Sequence, residues 1–390
     1  MKETTLKTIS KCGAYPDNYF LGRYAFSPYR ACAHGCAYCD GRAERYYVEG
    51  DFAKDIEVRT NTPQLLSDFL GKIKEKGHLR IGSGVSDCYQ PLEEDYQLMS
   101  QIADVCLQHS MPVSVLTKSS LVMRDLAKWK ALHEKTGFIL LMSIASTDDR
   151  VSEVWEPGAS PISERIETLK AFKAEGIPVG ALAMPVLPGI SDSPAQLEDL
   201  YKLFADIGVD AVMPGGLTLR SGRQKTHYYD LLRKERPNLI PLYDRLYRGN
   251  RPSGEPEPGA MEDVMARMHQ LGNKYKLPGR MPHGVWKNNY HLYDELYILL
   301  TNMRLLFYGH GSEKRLKEAT KRYSQWLKEE KTDFYRKRSR NGDTLETKLR
   351  MMMATGEFDQ IIGNEKLAAF LKEVAGGTVF DYRTLKLIKK

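Results

Sequence analysis

From about residue 79 onward, short apolar runs rich in β-branched residues alternate with amphipathic stretches of roughly ten to fifteen residues, the pattern of a parallel sheet built from βα units. The runs are 79–82, 113–117, 138–144, 178–184 and 209–213, and the alternating stretch 22–26 adds a sixth strand ahead of them. Between them, segments such as 97–107 and 162–172 repeat apolar residues at three- and four-residue spacing, as amphipathic helices do. Consecutive right-handed βα crossovers curl into a barrel or part of one. The expected fold is therefore α/β, a partial (β/α)6 barrel whose function lies at the C-terminal ends of its strands.

The flanks read differently. Residues 1–21 are mixed and polar and read as a lead-in, with a turn at Pro16-Asp17-Asn18. Residues 56–59 form a short strand before Asn61-Thr62-Pro63, where proline in the first turn marks a helix start. The barrel is expected to span 22–250. The Pro- and Gly-rich stretch 251–260 reads as a linker, and 261–390 reads as a mostly helical domain with helices near 261–271, 290–308 and 314–326.

Composition adds bounds. The chain has 390 residues, 42% hydrophobic and 27% charged, enough to bury a large core. No eighteen-residue apolar run and no apolar N-terminal signal core are present, so a cytoplasmic protein without a membrane partner is expected. The net charge is +7 with a pI near 8.9, a balance compatible with nucleic acid. The excess concentrates in 313–340, where eleven Lys or Arg face five Asp or Glu. Tyr323, Trp326, Phe334 and Tyr335 in that stretch suit base stacking, or, at helical spacing, a core-facing stripe beneath a solvated face. Gly215-Gly216 followed by Arg220, Arg223 and Lys225 suits an anion, or a solvated basic turn. His283 is a candidate substrate or proton-transfer residue on a loop expected to reach the barrel mouth.

The candidate chemistry centres on Cys32, Cys36 and Cys39, three of six cysteines within eight residues. Pro28 should end the first strand's pairing and open the loop that carries them. Thiolates select zinc, copper(I) or iron–sulfur clusters. A disulfide would leave an odd thiol, so two readings stay open: a cubane cluster held at three corners, or zinc with His34 as fourth donor. The strand ends 82–91, 117–120, 143–146 and 184–189 are rich in Gly, Ser and Pro. Such residues admit a ligand close to the backbone, and they also occur simply where loops begin.

The cysteine spacing, with an aromatic (Tyr38) just before the third, resembles the signature of radical S-adenosylmethionine enzymes. The succession 82–91, Thr117-Lys118-Ser119, Ser143-Ile144, Trp155-Glu156-Pro157 and 185–189 is similar to the spore photoproduct lyase-like branch of that superfamily over roughly residues 20–250. The resemblance implies a [4Fe–4S] cluster on Cys32, Cys36 and Cys39, and S-adenosylmethionine on its open iron. Tyr38, Gly82, Ser83, Lys118 and Ser143 would be cofactor-binding, with Gly82 and Ser83 near the methionine amino group, Lys118 near its carboxylate and Ser143 near the ribose. Lys118 has an alternative as a partner of Asp125 or Glu156. Cys88 is the candidate hydrogen-atom donor, or a small buried packing residue; Cys12 and Cys106 are expected to pack. The implied activity is reductive cleavage of the cofactor and hydrogen abstraction from a substrate, in the manner of a lyase on a nucleic-acid base, with flavodoxin or ferredoxin as electron donor. A radical enzyme acting on a peptide, tRNA or small metabolite, and a non-catalytic zinc or iron–sulfur protein that binds nucleic acid, are the alternatives.

Overall fold

The computed structural model describes residues 1–46, 48–336 and 342–389, and the side chains of 334–336, 342 and 343 are outside it. Tyr47, Phe334, Tyr335 and the basic residues at 336, 337, 338 and 340 are therefore outside the described side chains.

The strands are β1 (Lys2–Thr4), β2 (Ser10–Lys11), β3 (Tyr24–Phe26), β4 (Tyr29–Arg30), β5 (Glu57–Arg59), β6 (Leu79–Ile81), β7 (Val113–Thr117), β8 (Phe138–Ser143), β9 (Val179–Val186), β10 (Ala211–Gly216), β11 (Val379–Asp381) and β12 (Lys386–Ile388). The main sheet runs β10-β9-β8-β7-β6-β3-β2. Its first six members are parallel and in sequence order, and β2 adds an antiparallel edge. These are the six strands of the expected partial barrel, left open. The short strand at 56–59 joins a separate sheet, parallel to β1 and antiparallel to β4. The first 21 residues thus contribute a strand to each of these two sheets, and β11 and β12 pair separately.

The helices are α1 (Thr62–Leu70), α2 (Glu93–Tyr96), α3 (Leu98–Gln108), α4 (Leu126–Lys135), α5 (Asp149–Trp155), α6 (Ile162–Ala174), α7 (Pro194–Ile207), α8 (Arg223–Glu235), α9 (Ile240–Leu246), α10 (Glu262–Lys274), α11 (His283–Trp286), α12 (Leu292–Leu306), α13 (Glu313–Arg336), α14 (Gly342–Thr355), α15 (Glu357–Ile362) and α16 (Glu365–Ala375). Pro63 falls in the first turn of α1.

Both faces of the sheet are buried, which is why its strands read as continuous apolar runs. Leu79, Ile81, Val113, Val115, Phe138, Leu140 and Met142 point outward into one core with α1, α3, α4, α6 and α7. Met268 and Leu271 of α10 join that core, although α10 follows the 251–260 stretch. That stretch is bonded to its surroundings, Leu219 N–H donating to Gly254 (2.7 Å) and Glu257 N–H to Leu246 (2.7 Å).

The inward face has a second core. Leu116, Ile139, Leu141, Leu182 and Met213 meet Met281, Trp286, Tyr290, Tyr293 and Leu296, so the C-terminal helices fill part of the barrel interior. Gly180 permits this approach: a Cβ there would lie 2.7 Å from Leu141 and 3.0 Å from the Met281 sulfur.

His283 belongs to this filling. It is fully buried, accepts the Phe380 N–H at 3.1 Å and faces Glu295 at 3.0 Å. The expectation that its loop reaches the barrel mouth is corrected: burial of Trp286 beside it anchors the segment inside the molecule.

Candidate active site

The cysteine loop leaves β4 and is held from two sides. The turn after β6 grips its first half. Ser86 Oγ donates to the carbonyls of Tyr29 (3.2 Å) and Ala31 (3.0 Å), and Gln90 Oε1 accepts the Ala33 N–H (2.8 Å). The second half is tied to the end of β10 and to α8. Gln224 Nε2 donates to the Tyr38 carbonyl (2.8 Å) and Asp40 (2.9 Å), and Thr218 donates to Asp40 at 2.8 Å. Arg42 reaches back to the carbonyls of Cys36 (2.9 Å) and Gly35 (2.7 Å). An irregular loop can be buried only when its backbone polar groups are satisfied in this way.

The loop closes one side of a cavity of about 220 Å³ at the strand ends. Cys32, Cys36, Tyr38 and Cys39 line it beside Ser83, Lys118 and Ser143, so seven sequence-predicted residues meet in one space. Gly82 and Cys88 do not line it. Gly82 makes the turn that presents Ser83: its φ is +91°, and a Cβ would lie 2.6 Å from the Leu116 carbonyl. Cys88 is fully buried with its thiol directed at the Leu116 carbonyl (3.7 Å), the position of a packing residue. Cys106 likewise packs, on α3.

Charge in the site is organised around two carboxylates, Asp87 and Glu156. Asp87 accepts Thr117 Oγ1 (2.7 Å), Lys118 N–H (2.8 Å) and Tyr89 N–H (2.8 Å), and lies 3.5 Å from His34 Nδ1. It fixes the backbone at Lys118 and turns His34 toward itself. Glu156 is buried between the Tyr38 hydroxyl and Arg165. Burial alone would raise its pKa, but Arg165 and Lys118 outweigh that and hold it below the usual carboxylate value. Arg165 also donates to the Ser143 carbonyl at 3.1 Å, linking Tyr38 to the end of β8. Trp155-Glu156 was visible as a motif; its pairing with Arg165 on the next helix was not.

Lys118 is the exception to pairing. Asp125 is taken by Arg124 (2.8 Å) and Tyr89 (2.9 Å), and Glu156 by Arg165, so neither sequence-suggested partner forms an ion pair with it among the described residues. Its ammonium lies 5.8 Å from the Tyr38 ring centroid, on the cavity wall.

The anion suggested after Gly215-Gly216 belongs to the chain itself. Arg220 donates to the Pro252 carbonyl (2.6 Å) and to Asp40 (3.3 Å), while Glu44 accepts the Arg223 N–H at 2.8 Å where α8 begins. Both acids come from the exit of the cysteine loop, so this basic turn fastens that loop.

The donor set suits a soft metal centre. Burial raises all three thiols, Cys36 to about 12, so a thiolate there calls for a neighbouring positive centre. The three thiols border one shared space, and His34 is turned to Asp87.

An open sheet of six parallel strands with three thiols on the loop after its first strand defines a class, and comparison with known proteins agrees. Residues 26–204 match the Radical SAM superfamily. An uncharacterized protein of Mycobacterium tuberculosis is 30% identical over 262 residues, 66% of this chain and 76% of that one. Another, from Methanocaldococcus jannaschii, is 29% identical over 171 residues, 44% of this chain and 62% of that one. Spore photoproduct lyase complexed with dinucleoside spore photoproduct superposes with a TM-score of 0.52 at 13% identity, over 71% of this chain and 79% of that one. The chain belongs to the radical SAM superfamily and shares its fold with spore photoproduct lyase.

Proposed function

We propose that this protein is an enzyme that holds a [4Fe–4S] cluster on Cys32, Cys36 and Cys39, binds S-adenosylmethionine beside it, and abstracts a hydrogen atom from a substrate lodged in the same cavity. The observation that carries this reading is the meeting of three thiols and an ammonium without a carboxylate partner on one cavity wall. When bound, the cluster and S-adenosylmethionine supply one-electron cleavage of a sulfonium and a 5′-deoxyadenosyl radical.

The chain's own residues bind, orient and exclude water. Lys118 offers a point charge to the methionine carboxylate, Ser83 a hydroxyl near the amino group, and Ser143 a hydroxyl toward the ribose. Glu156 and Arg165 hold Tyr38, and with it the second half of the cysteine loop, against β8. Phe20, Leu116, Leu182 and Met184 form an apolar part of the cavity lining that keeps water from the reacting atoms. Electrons come from an external low-potential donor of the flavodoxin or ferredoxin kind.

The test is anaerobic: reconstitution with iron and sulfide, reduction with dithionite, and assay of 5′-deoxyadenosine from S-adenosylmethionine. The native chain is expected to bind about four irons and to form deoxyadenosine, with Cys36→Ala abolishing the product. Stoichiometric zinc in place of a cluster, or product formation independent of Cys36, would overturn the proposal.

A further inference from the structure

Behind the cavity-lining Phe20 stand two arginines that form no ion pair among the described residues. Arg80 sits between Leu79 and Ile81 on β6, whose side chains enter the outer core, so its own side chain projects to the inward face. Its register neighbour Ser114 points the same way and donates to the Phe20 carbonyl at 3.0 Å. This bond hangs Phe20 across the inward face, where its ring lines the cavity.

The Arg80 guanidinium lies 5.7 Å from the Phe20 centroid. The Phe20 ring meets Tyr19 edge-on at 4.6 Å, and the Arg280 guanidinium lies 4.1 Å from the Tyr19 centroid. Cation, ring, ring and cation thus form a ladder with one rung on the cavity wall.

Neither arginine forms an ion pair among the described residues. Among the described residues the Nε of each is buried without a hydrogen-bond partner, and the Arg280 guanidinium donates to the Gly279 carbonyl at 2.7 Å. Asp17, which accepts the Tyr19 N–H, lies near enough for its charge to favour the Arg280 guanidinium without forming an ion pair with it. Elsewhere the molecule answers its buried cations: Arg165 has Glu156, Lys287 has Glu295 and Lys331 has Asp294. Half-buried guanidiniums without a direct ion-pair partner are costly to fold unless a ligand completes them.

We propose that the Arg80–Phe20–Tyr19–Arg280 ladder is a substrate subsite that takes an anionic group, phosphate or carboxylate, of the molecule whose hydrogen is abstracted. The inference rests on the placement of the active site in the adjoining cavity, and it narrows the substrate to an anionic one. The Phe20 ring on the cavity wall gives a planar part of the same substrate a surface to lie on.

The experiment needs neither cluster nor S-adenosylmethionine, so its failure is distinct from failure of the radical reading. The unfolding temperature of the full chain is followed against inorganic phosphate and, separately, malonate, with ionic strength held constant by chloride. One or both probes should raise the midpoint saturably. Arg80→Gln and Arg280→Gln should each weaken the apparent affinity about tenfold, the value of one charge-assisted hydrogen bond. Arg80→Lys should retain most of it, and Arg248→Gln, at an exposed position outside the ladder, should change nothing. Response to phosphate alone would indicate a nucleotide or nucleic acid, and response to malonate alone a carboxylate-bearing substrate; either supports the subsite. If neither probe exceeds chloride, or if the Gln variants lower the midpoint while keeping the native anion dependence, the arginines serve only to pack and the proposal falls.

Discussion

Where the C-terminal helices enter the barrel, Lys331 meets Asp294 at 2.6 Å and Lys287 meets Glu295 at 3.2 Å, with all four side chains buried. At the strand ends, Lys118 lies over a ring with no carboxylate partner among the described residues, and Arg80 and Arg280 are in the same condition nearby. The first region holds its cations fully buried and the second half-buried, and only the first pairs each of them directly with a carboxylate. A cation completed by the chain stabilises the fold, whereas a cation left open at a cavity is completed by what binds there. The difference separates residues that hold this molecule together from those that act on a ligand.

The sharpest way to break the comparison is at its closed end. Lys331→Met leaves Asp294 charged and buried, and should cost about 3–5 kcal/mol in denaturant unfolding. Changing Asp294→Leu as well should return much of that loss, because no buried charge then remains. An unfolding free energy unchanged by Lys331→Met would remove the distinction between the two regions.

An intermediate effect is expected at Asp87, which belongs to both categories. Asp87→Ala deprives Thr117 Oγ1 and two backbone N–H groups of their acceptor. It should destabilise the chain by about 2–3 kcal/mol and also weaken S-adenosylmethionine binding, because the backbone at Lys118 loses its anchor. Calorimetric titration beside an unfolding curve checks both halves; loss of stability with native affinity would show that Asp87 does not position Lys118.

How much of this the sequence revealed depends on how local each cause is. The six parallel strands were legible because both faces are covered, so each appears as an apolar run. The cysteine loop was legible because its ligands are neighbours in the chain. Asp87, Glu156 and Arg165 were obscure, since the first gains its role from residues thirty positions away and the other two from a pairing across consecutive helices. Lys331 was read as part of a basic run with a solvated face, yet a signal existed. Leu316, Thr320, Tyr323 and Leu327 are all buried on α13, and Lys331 continues their three- and four-residue spacing into the interior. Tyr323, expected on that core-facing stripe, is fully buried. Arg80 carried a comparable signal, a charge between two strand residues bound for the outer core.

The smallest expected effect concerns a pair at the edge of the closed region. Glu346 accepts the Leu292 N–H at 3.1 Å and lies beside His291 and Arg350. Its contact with His291, 3.4 Å away, leads the causes that lower its pKa from 4.5 to about 2. A depressed carboxylate stabilises the fold above its unfolded pKa and loses that contribution as pH falls through the folded one. Glu346→Gln should therefore be less stable than the native chain near pH 6, by less than about 1 kcal/mol because the group is partly exposed. The gap should close between about pH 4.5 and pH 2. A gap that is constant across that range would show that the charge of Glu346 contributes nothing.

The open end is tested most directly by one variant measured twice. Lys118→Ala, in the cluster-reconstituted protein under anaerobic conditions, is titrated with S-adenosylmethionine and then unfolded with denaturant. Binding should be about tenfold weaker, the value of a charge-assisted contact, with iron content unchanged and stability far less affected than by Lys331→Met, since Arg165 still pairs with Glu156. Native affinity in this variant, or a loss of stability comparable to that of Lys331→Met, would contradict that expectation.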